Sequence, residues 1–185
     1  EQSIAHRTGL HVSNEFPLDI WRKMAQGKLL GLGIPEKYGG FGGNYLSIAV
    51  AGEAIVRRGH NMGLALSWLM HQIVSRFLVM KFGNSEQKNE YLPNFASGKL
   101  TASLAISEPE GGAHPKYLKT VAYGKGDSYV LNGGKCYLTN APIADLFLVC
   151  AITGVNGSRK QFTVFIVPKE TPGLLLTEPM KLTFL

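Results

Sequence analysis

Between Leu100 and Asn140 the chain brings together residue types that could hold an anionic, planar ligand. The stretch opens LTASLAISEPEGGAHP (Leu100 to Pro115) and closes YVLNGGKCYLTN (Tyr129 to Asn140). Gly111 and Gly112 follow Glu108 and Pro109. Glycine permits left-handed backbone and close approach to a ligand, and successive amides in such a turn can point one way and hold an anion. Tyr137 and Thr139 stand two positions apart. In a strand they share one face and Leu138 takes the other. A ring beside a hydroxyl on one face can stack on a planar ligand and hydrogen-bond it. On pattern alone the plainer reading is preferred: a half-buried hairpin with an ordinary Tyr and Thr.

Two strands must position these residues. Ala102 to Ser107 reads as a strand that stops before Pro109, which cannot donate to a ladder. Tyr129 to Leu131, the turn signal Asn132-Gly133, and Cys136 to Thr139 read as a hairpin. Further strands are expected at Tyr117 to Gly124, Ser128 to Asn132, Leu146 to Thr153, Phe162 to Val167 and Leu174 to Thr177. Turn signals at Lys125-Gly126-Asp127, Gly154 to Ser158 and Thr171-Pro172-Gly173 separate them. Short strands at this spacing read as a sandwich or barrel.

Before Gly98 the periodicity is helical. Pro17 to Leu30 is a predicted helix that ends at Gly31 and Gly33. Asn44 caps a second helix that runs to Arg57-Arg58. Met62 to Phe82 is a longer, mostly apolar helix closed by Gly83, of the kind buried among other helices. Trp68 and His71, three apart on it, read first as core residues. Ser85 caps a short helix that Pro93 breaks. The glycine-rich loop Glu36 to Tyr45 lacks both phosphate-loop and dinucleotide fingerprints and reads as structural. The expected division is a helical domain over 1–98 and a β domain over 99–185.

Composition narrows the function. Nineteen Lys+Arg against 13 Asp+Glu give a net charge of +6, but the basic residues are scattered and form no nucleic-acid stripe. A mildly basic domain suits a phosphate-bearing small molecule. Cys136 and Cys150 read as buried, reduced thiols in strands and sit in no metal spacing. His6 and His11 lack a third ligand nearby and read as solvated. His71, Gln72, Arg76 and Lys81 within the apolar helix argue against a membrane span. No signal-peptide pattern follows Glu1. A soluble intracellular protein is expected, cytoplasmic, or in the mitochondrial matrix if eukaryotic.

The paired segments resemble the acyl-CoA dehydrogenase family, which carries a (Thr/Ser)-Glu-Pro-Gly-x-Gly turn and then Asn-Gly-x-Lys-x-(Trp/Tyr)-Ile-(Thr/Ser)-Asn. The similarity also takes in the Pro-x-x-Tyr-Gly-Gly loop and the Gly-Asn-Ser-Glu-Gln-Lys…Tyr-Leu-Pro…Ala-Ser-Gly string. The resemblance implies a helical domain followed by a central β domain, with FAD gripped by the latter. It implies FAD contacts from Ile106, Ser107, Gly112, Ala113, Tyr137, Leu138 and Thr139. Ser107 would bond the pyrimidine edge, Gly112 and Ala113 would offer amides to the pyrophosphate, Tyr137 would pack on the ring, and Thr139 would reach N5. It makes Ala113, Trp68 and His71 candidates for substrate contact, the last two on a helix that walls the family's acyl-chain tunnel.

The reaction implied is α,β-dehydrogenation of an acyl-CoA in fatty acid metabolism, with hydride passing to flavin N5 and a Glu taking the α proton. No catalytic base is assigned; the resemblance places it in a helical bundle beyond Leu185, and neither Glu53 nor Glu108 is supported as a substitute. An electron-transfer flavoprotein is the implied acceptor, and a homo-oligomer the implied state of the complete enzyme. The alternatives are an acyl-CoA oxidase of the same fold and a non-catalytic flavin- or CoA-binding module. Two departures bear on this: Ala113 stands where the family usually has Ser, and His114 where it has Asp.

Overall fold

The computed structural model describes residues 16–179; His6 and His11 lie outside them. Four helices come first: α1 (Leu18–Gln26), α2 (Tyr45–Gly59), α3 (Met62–Phe82) and α4 (Ser85–Ala96). α1 stops four residues before its predicted end. Gly27 donates to the Lys23 carbonyl and Lys28 turns left-handed at φ 61°, so the chain leaves before Gly31. Asn44 caps α2 through a reciprocal capping box with Ser47. Asn84, rather than Ser85, caps α4, in a box with Gln87. Pro93 does not break α4 but sits inside it. Its missing N–H frees the carbonyl of Asn89, an exposed residue that water can satisfy.

α3 is long and apolar enough to cross a membrane by length and composition, and half of that window is buried inside the fold. Its middle, Ile73–Val79, winds as a π-helix. The first core cluster joins Ile20, Trp21 and Met24 of α1 to Leu64, Ala65 and Trp68 of α3. The second joins Val74, Val79, Leu92 and Phe95 to Ala102, Leu146 and Leu148, so helices and sheet share one apolar interior. Leu92 and Phe95 are fully buried, each contributing ~2 kcal/mol of transfer free energy.

The strands form one five-stranded sheet: β1 (Ala102–Ala105), β2 (Val121–Lys125), β3 (Ser128–Asn132), β4 (Leu146–Asn156) and β5 (Arg159–Pro168). β4 is the spine. Along one edge it pairs antiparallel with β5 over nearly its whole length. Along the other it takes β1 in parallel from Leu146 to Val149, and then β2 in parallel at Ile152. β1 and β2 thus meet the same edge of β4 one after the other. Residues 106–120 leave that edge after Ala105 and return to it at Val121.

Three strand expectations are corrected. Asn132-Gly133 is not a hairpin turn and Cys136 to Thr139 is not a strand. β3 instead pairs back onto β2, with Gly126 (φ 59°) and Asp127 as the turn. Tyr117 belongs to a short 3-10 turn, Pro115–Tyr117, and the strand starts only at Val121. Leu174 to Thr177 forms no strand.

Candidate functional site

The excursion from the sheet begins at Ile106 and Ser107, both half-buried. Glu108 follows and is 5% exposed. Its Oε2 accepts from the Lys119 amide at 2.7 Å, and its Oε1 from the Thr120 amide at 3.0 Å and the Thr120 hydroxyl at 2.6 Å. The Lys135 ammonium adds a fourth donor at 2.8 Å and also donates to the Ile106 carbonyl at 3.0 Å. One carboxylate therefore ties the start of the excursion to its end and to the segment after β3. Burial alone would raise the Glu108 pKa. The donors from Lys135, Thr120 and Lys119 outweigh it and hold the group down at about 2. Glu108 is thus a fixed anion, which makes it a strut and a poor proton acceptor.

The turn closes through a reciprocal pair: the Glu108 amide donates to the Gly112 carbonyl at 3.0 Å and the Gly112 amide to the Glu108 carbonyl at 2.9 Å. The Gly112 N–H is consequently committed within the turn, a correction to its expected role as an anion donor. Gly112 itself is left-handed (φ 58°), and a Cβ there would meet no atom within 4 Å. Ala113 beside it is exposed. His114 caps the next turn by accepting from the Lys116 amide at 3.2 Å. That is the acceptor role an Asp side chain would fill, so this departure leaves the turn intact.

The second segment runs alongside the first. The Cys136 amide donates to the Ser107 carbonyl at 2.9 Å. Tyr137 then adopts φ 57°, a left-handed conformation rare for an aromatic residue, and leaves its ring 70% exposed. Leu138 and Thr139 are half-buried. The hydroxyls of Ser107, Tyr137 and Thr139 have no protein partner among the described residues. Half-buried hydroxyls left unpaired, beside a solvent-facing ring held in strained backbone, are the donor set a planar heteroaromatic ligand needs. The residues present fit the flavin that the motifs imply.

Trp68 and His71 do not join this surface, and this corrects their candidacy for substrate contact. Both are 1% exposed. Trp68 Nε1 donates to the Leu29 carbonyl at 3.0 Å, and His71 Nε2 lies 3.2 Å from the Leu30 carbonyl, edge-on between Trp21 and Phe95. Burial pushes the His71 pKa down to about 4, against weaker support from the Leu30 and Phe95 backbone. Cys136 and Cys150 are free and half-buried rather than buried; Cys150 lies in β4 as expected, and Cys136 lies outside any strand.

Sequence reasoning missed Lys135 as the counter-ion of Glu108, and Thr120 as its hydroxyl donor. A lysine inside the run LNGGKCYL was the available signal, since a buried ammonium requires an anion.

Comparisons with known proteins show the family of the chain. Residues 2–99 match the acyl-CoA dehydrogenase N-terminal domain and residues 103–183 the acyl-CoA dehydrogenase middle domain. An acyl-CoA dehydrogenase of Bacillus subtilis (strain 168) is 38% identical over 161 residues, covering 87% of this chain and 42% of its own. The crystal structure of the prolyl acyl carrier protein oxidase AnaB is similar at a TM-score of 0.84 and 36% identity, covering 90% of this chain and 44% of its own. A glutaryl-CoA dehydrogenase from Mycobacterium smegmatis in complex with FADH2 is similar at a TM-score of 0.84 and 28% identity, covering 97% and 46%. The chain spans less than half the length of these relatives. With both domain models matched in order across nearly every residue, this chain belongs to the acyl-CoA dehydrogenase family.

Proposed function

We propose that this chain supplies the flavin-facing half of an FAD-dependent acyl-CoA dehydrogenase, with its helical layer over 1–98 and its β domain over 99–185. The observation that carries the reading is the joining of two separate segments, Ile106 to Ala113 and Lys135 to Thr139, by the Glu108–Lys135 pair, with the Ser107 and Thr139 hydroxyls left unpaired beside them. A bound flavin would supply a hydride acceptor for the β carbon of an acyl thioester. The protein's part is to hold it. Ile106, Ser107 and Leu138 line its approach, Tyr137 offers a ring face, Thr139 a hydroxyl, and Ala113 an exposed amide toward phosphate or substrate. An acyl-CoA is the proposed substrate and an electron-transfer flavoprotein the proposed acceptor. The likeness to AnaB supports a second reading, in which oxygen accepts the electrons and the acyl group rides on a carrier protein.

An FAD titration of the chain, followed by flavin fluorescence, tests the proposal. Saturable binding that weakens about five- to tenfold in Thr139→Val is expected, the effect of one lost hydrogen bond. No binding by the wild-type chain or by a chain extended past Leu185 would refute it.

A further inference from the structure

The segment that carries Tyr137 and Thr139 has no ladder to hold it, yet it contains two non-glycine residues in left-handed backbone: Tyr137 at φ 57° and Asn140 at φ 70°. Such conformations persist only where the surroundings impose them. Two buried side chains tie the segment down, one from the sheet and one from the helices.

From the sheet, Ser103 of β1 is fully buried, and its hydroxyl donates to the Thr139 carbonyl at 2.7 Å. From the helices, Asn140 is 7% exposed and its Nδ2 donates to the Ser67 carbonyl of α3 at 3.0 Å. The carboxamide has one orientation open to it, because a carbonyl can only accept. Its Oδ1 is then left buried without a protein partner. The turn is closed by Ala141 donating to the Leu138 carbonyl at 3.2 Å and Ile143 to the Asn140 carbonyl at 3.0 Å.

We propose that Asn140 and Ser103 are positioning residues that clamp Tyr137 to Thr139 from the helices and from the sheet, and that Asn140 sets the loop against α3. Ser67 lies one residue before Trp68, and the same helical stretch through Gln72 is keyed to the Leu29 and Leu30 carbonyls by Trp68, His71 and Gln72. The Asn140 carboxamide thereby ties the backbone next to Thr139 to this stretch of α3. The clamp stands on its own geometry; what it positions rests on the flavin reading above.

The test compares Asn140→Gly and Ser103→Ala with the wild type in the full chain. Glycine accepts the left-handed backbone and removes the whole carboxamide side chain, Cβ included. Ser103→Ala shrinks a buried residue and probes the tie to the sheet independently. Hydrogen exchange at the Ala141 and Ile143 amides is read without ligand, and FAD affinity and the flavin absorbance bands are read with it. Each variant is expected to exchange about five- to tenfold faster at these amides, the loss of one hydrogen bond, and to weaken FAD binding while shifting the flavin bands. Unchanged exchange in both variants overturns the clamp. Faster exchange with wild-type affinity and bands overturns the positioning role. If neither the wild type nor a chain extended past Leu185 takes up FAD, the flavin reading falls, and the exchange result alone decides whether the loop is clamped.

Discussion

Substituting Glu108 or Lys135 probes the strut that assembles the candidate site. The folded protein lowers the Glu108 pKa from an ordinary 4.5 to about 2. At ~1.4 kcal/mol for each tenfold change in proton affinity, this amounts to ~3 kcal/mol of stability at neutral pH. Because the folded pKa lies below the unfolded one, that contribution is fully present above pH 4.5 and is lost as pH falls toward 2. Glu108→Gln removes the charge and leaves a buried ammonium 8% exposed without its partner. Lys135→Met does the reverse. Each is expected to cost ~3 kcal/mol, the scale for breaking a buried pair. The double variant is expected to cost less than the two together by more than ~1 kcal/mol, since the residues touch. Urea unfolding followed by circular dichroism at pH 7 measures these values. Repeating it from pH 5 to 2 is expected to show the gap between wild type and Glu108→Gln closing. Single variants within ~0.5 kcal/mol of wild type, or a gap that stays constant through the acid range, would refute the reasoning.

His71 gives a second pH signature, in a different window. With its pKa pushed down to about 4 from 6.5, the unfolded chain binds a proton that the folded one refuses, so stability is full above pH 6.5 and declines by ~3 kcal/mol as pH falls toward 4. Trp21, whose ring lies 5.6 Å from His71, reports this core by fluorescence, and His71→Gln is expected to flatten the decline. Gly133→Ala is expected to cost ~2 kcal/mol in urea unfolding and to weaken FAD binding, because the added Cβ falls 2.4 Å from the Thr120 hydroxyl that holds Glu108. Asn84→Ala removes the α4 cap and is expected to cost ~1 kcal/mol by the same assay, with FAD affinity unchanged.

The helical half was largely legible because its signals are local. Asn44 precedes an apolar run and caps it, and the period of Met62 to Phe82 marks one long helix. The errors arose where a local rule met a tertiary demand. Asn132-Gly133 carries a strong hairpin signal, yet Gly126-Asp127 makes the turn. Gly133 is required for another reason: its backbone passes too close to Thr120 for any side chain. Motif order singled out Ser107, Tyr137 and Thr139 as candidates. It did not single out their supports, because Lys135–Glu108 and Asn140–Ser67 join residues 27 and 73 positions apart, and no periodicity encodes a side chain aimed at a distant carbonyl. Trp68 and His71 show the converse, since an apolar helix face cannot say whether it lines a ligand channel or a solid core.

The interrupted edge of β4 has a consequence for how this protein can vary. β1 takes its register from Leu146 to Val149 and β2 from Ile152, so each strand is indexed to the spine separately. Residues can be added to or removed from the exposed stretch between Pro109 and Lys116 without sliding either strand. The requirement is that Glu108 at one end still reaches Lys119 and Thr120 at the other. The sheet thus behaves as a fixed rail with a splice in it, at which ligand-facing chemistry can be exchanged while the rail keeps its alignment.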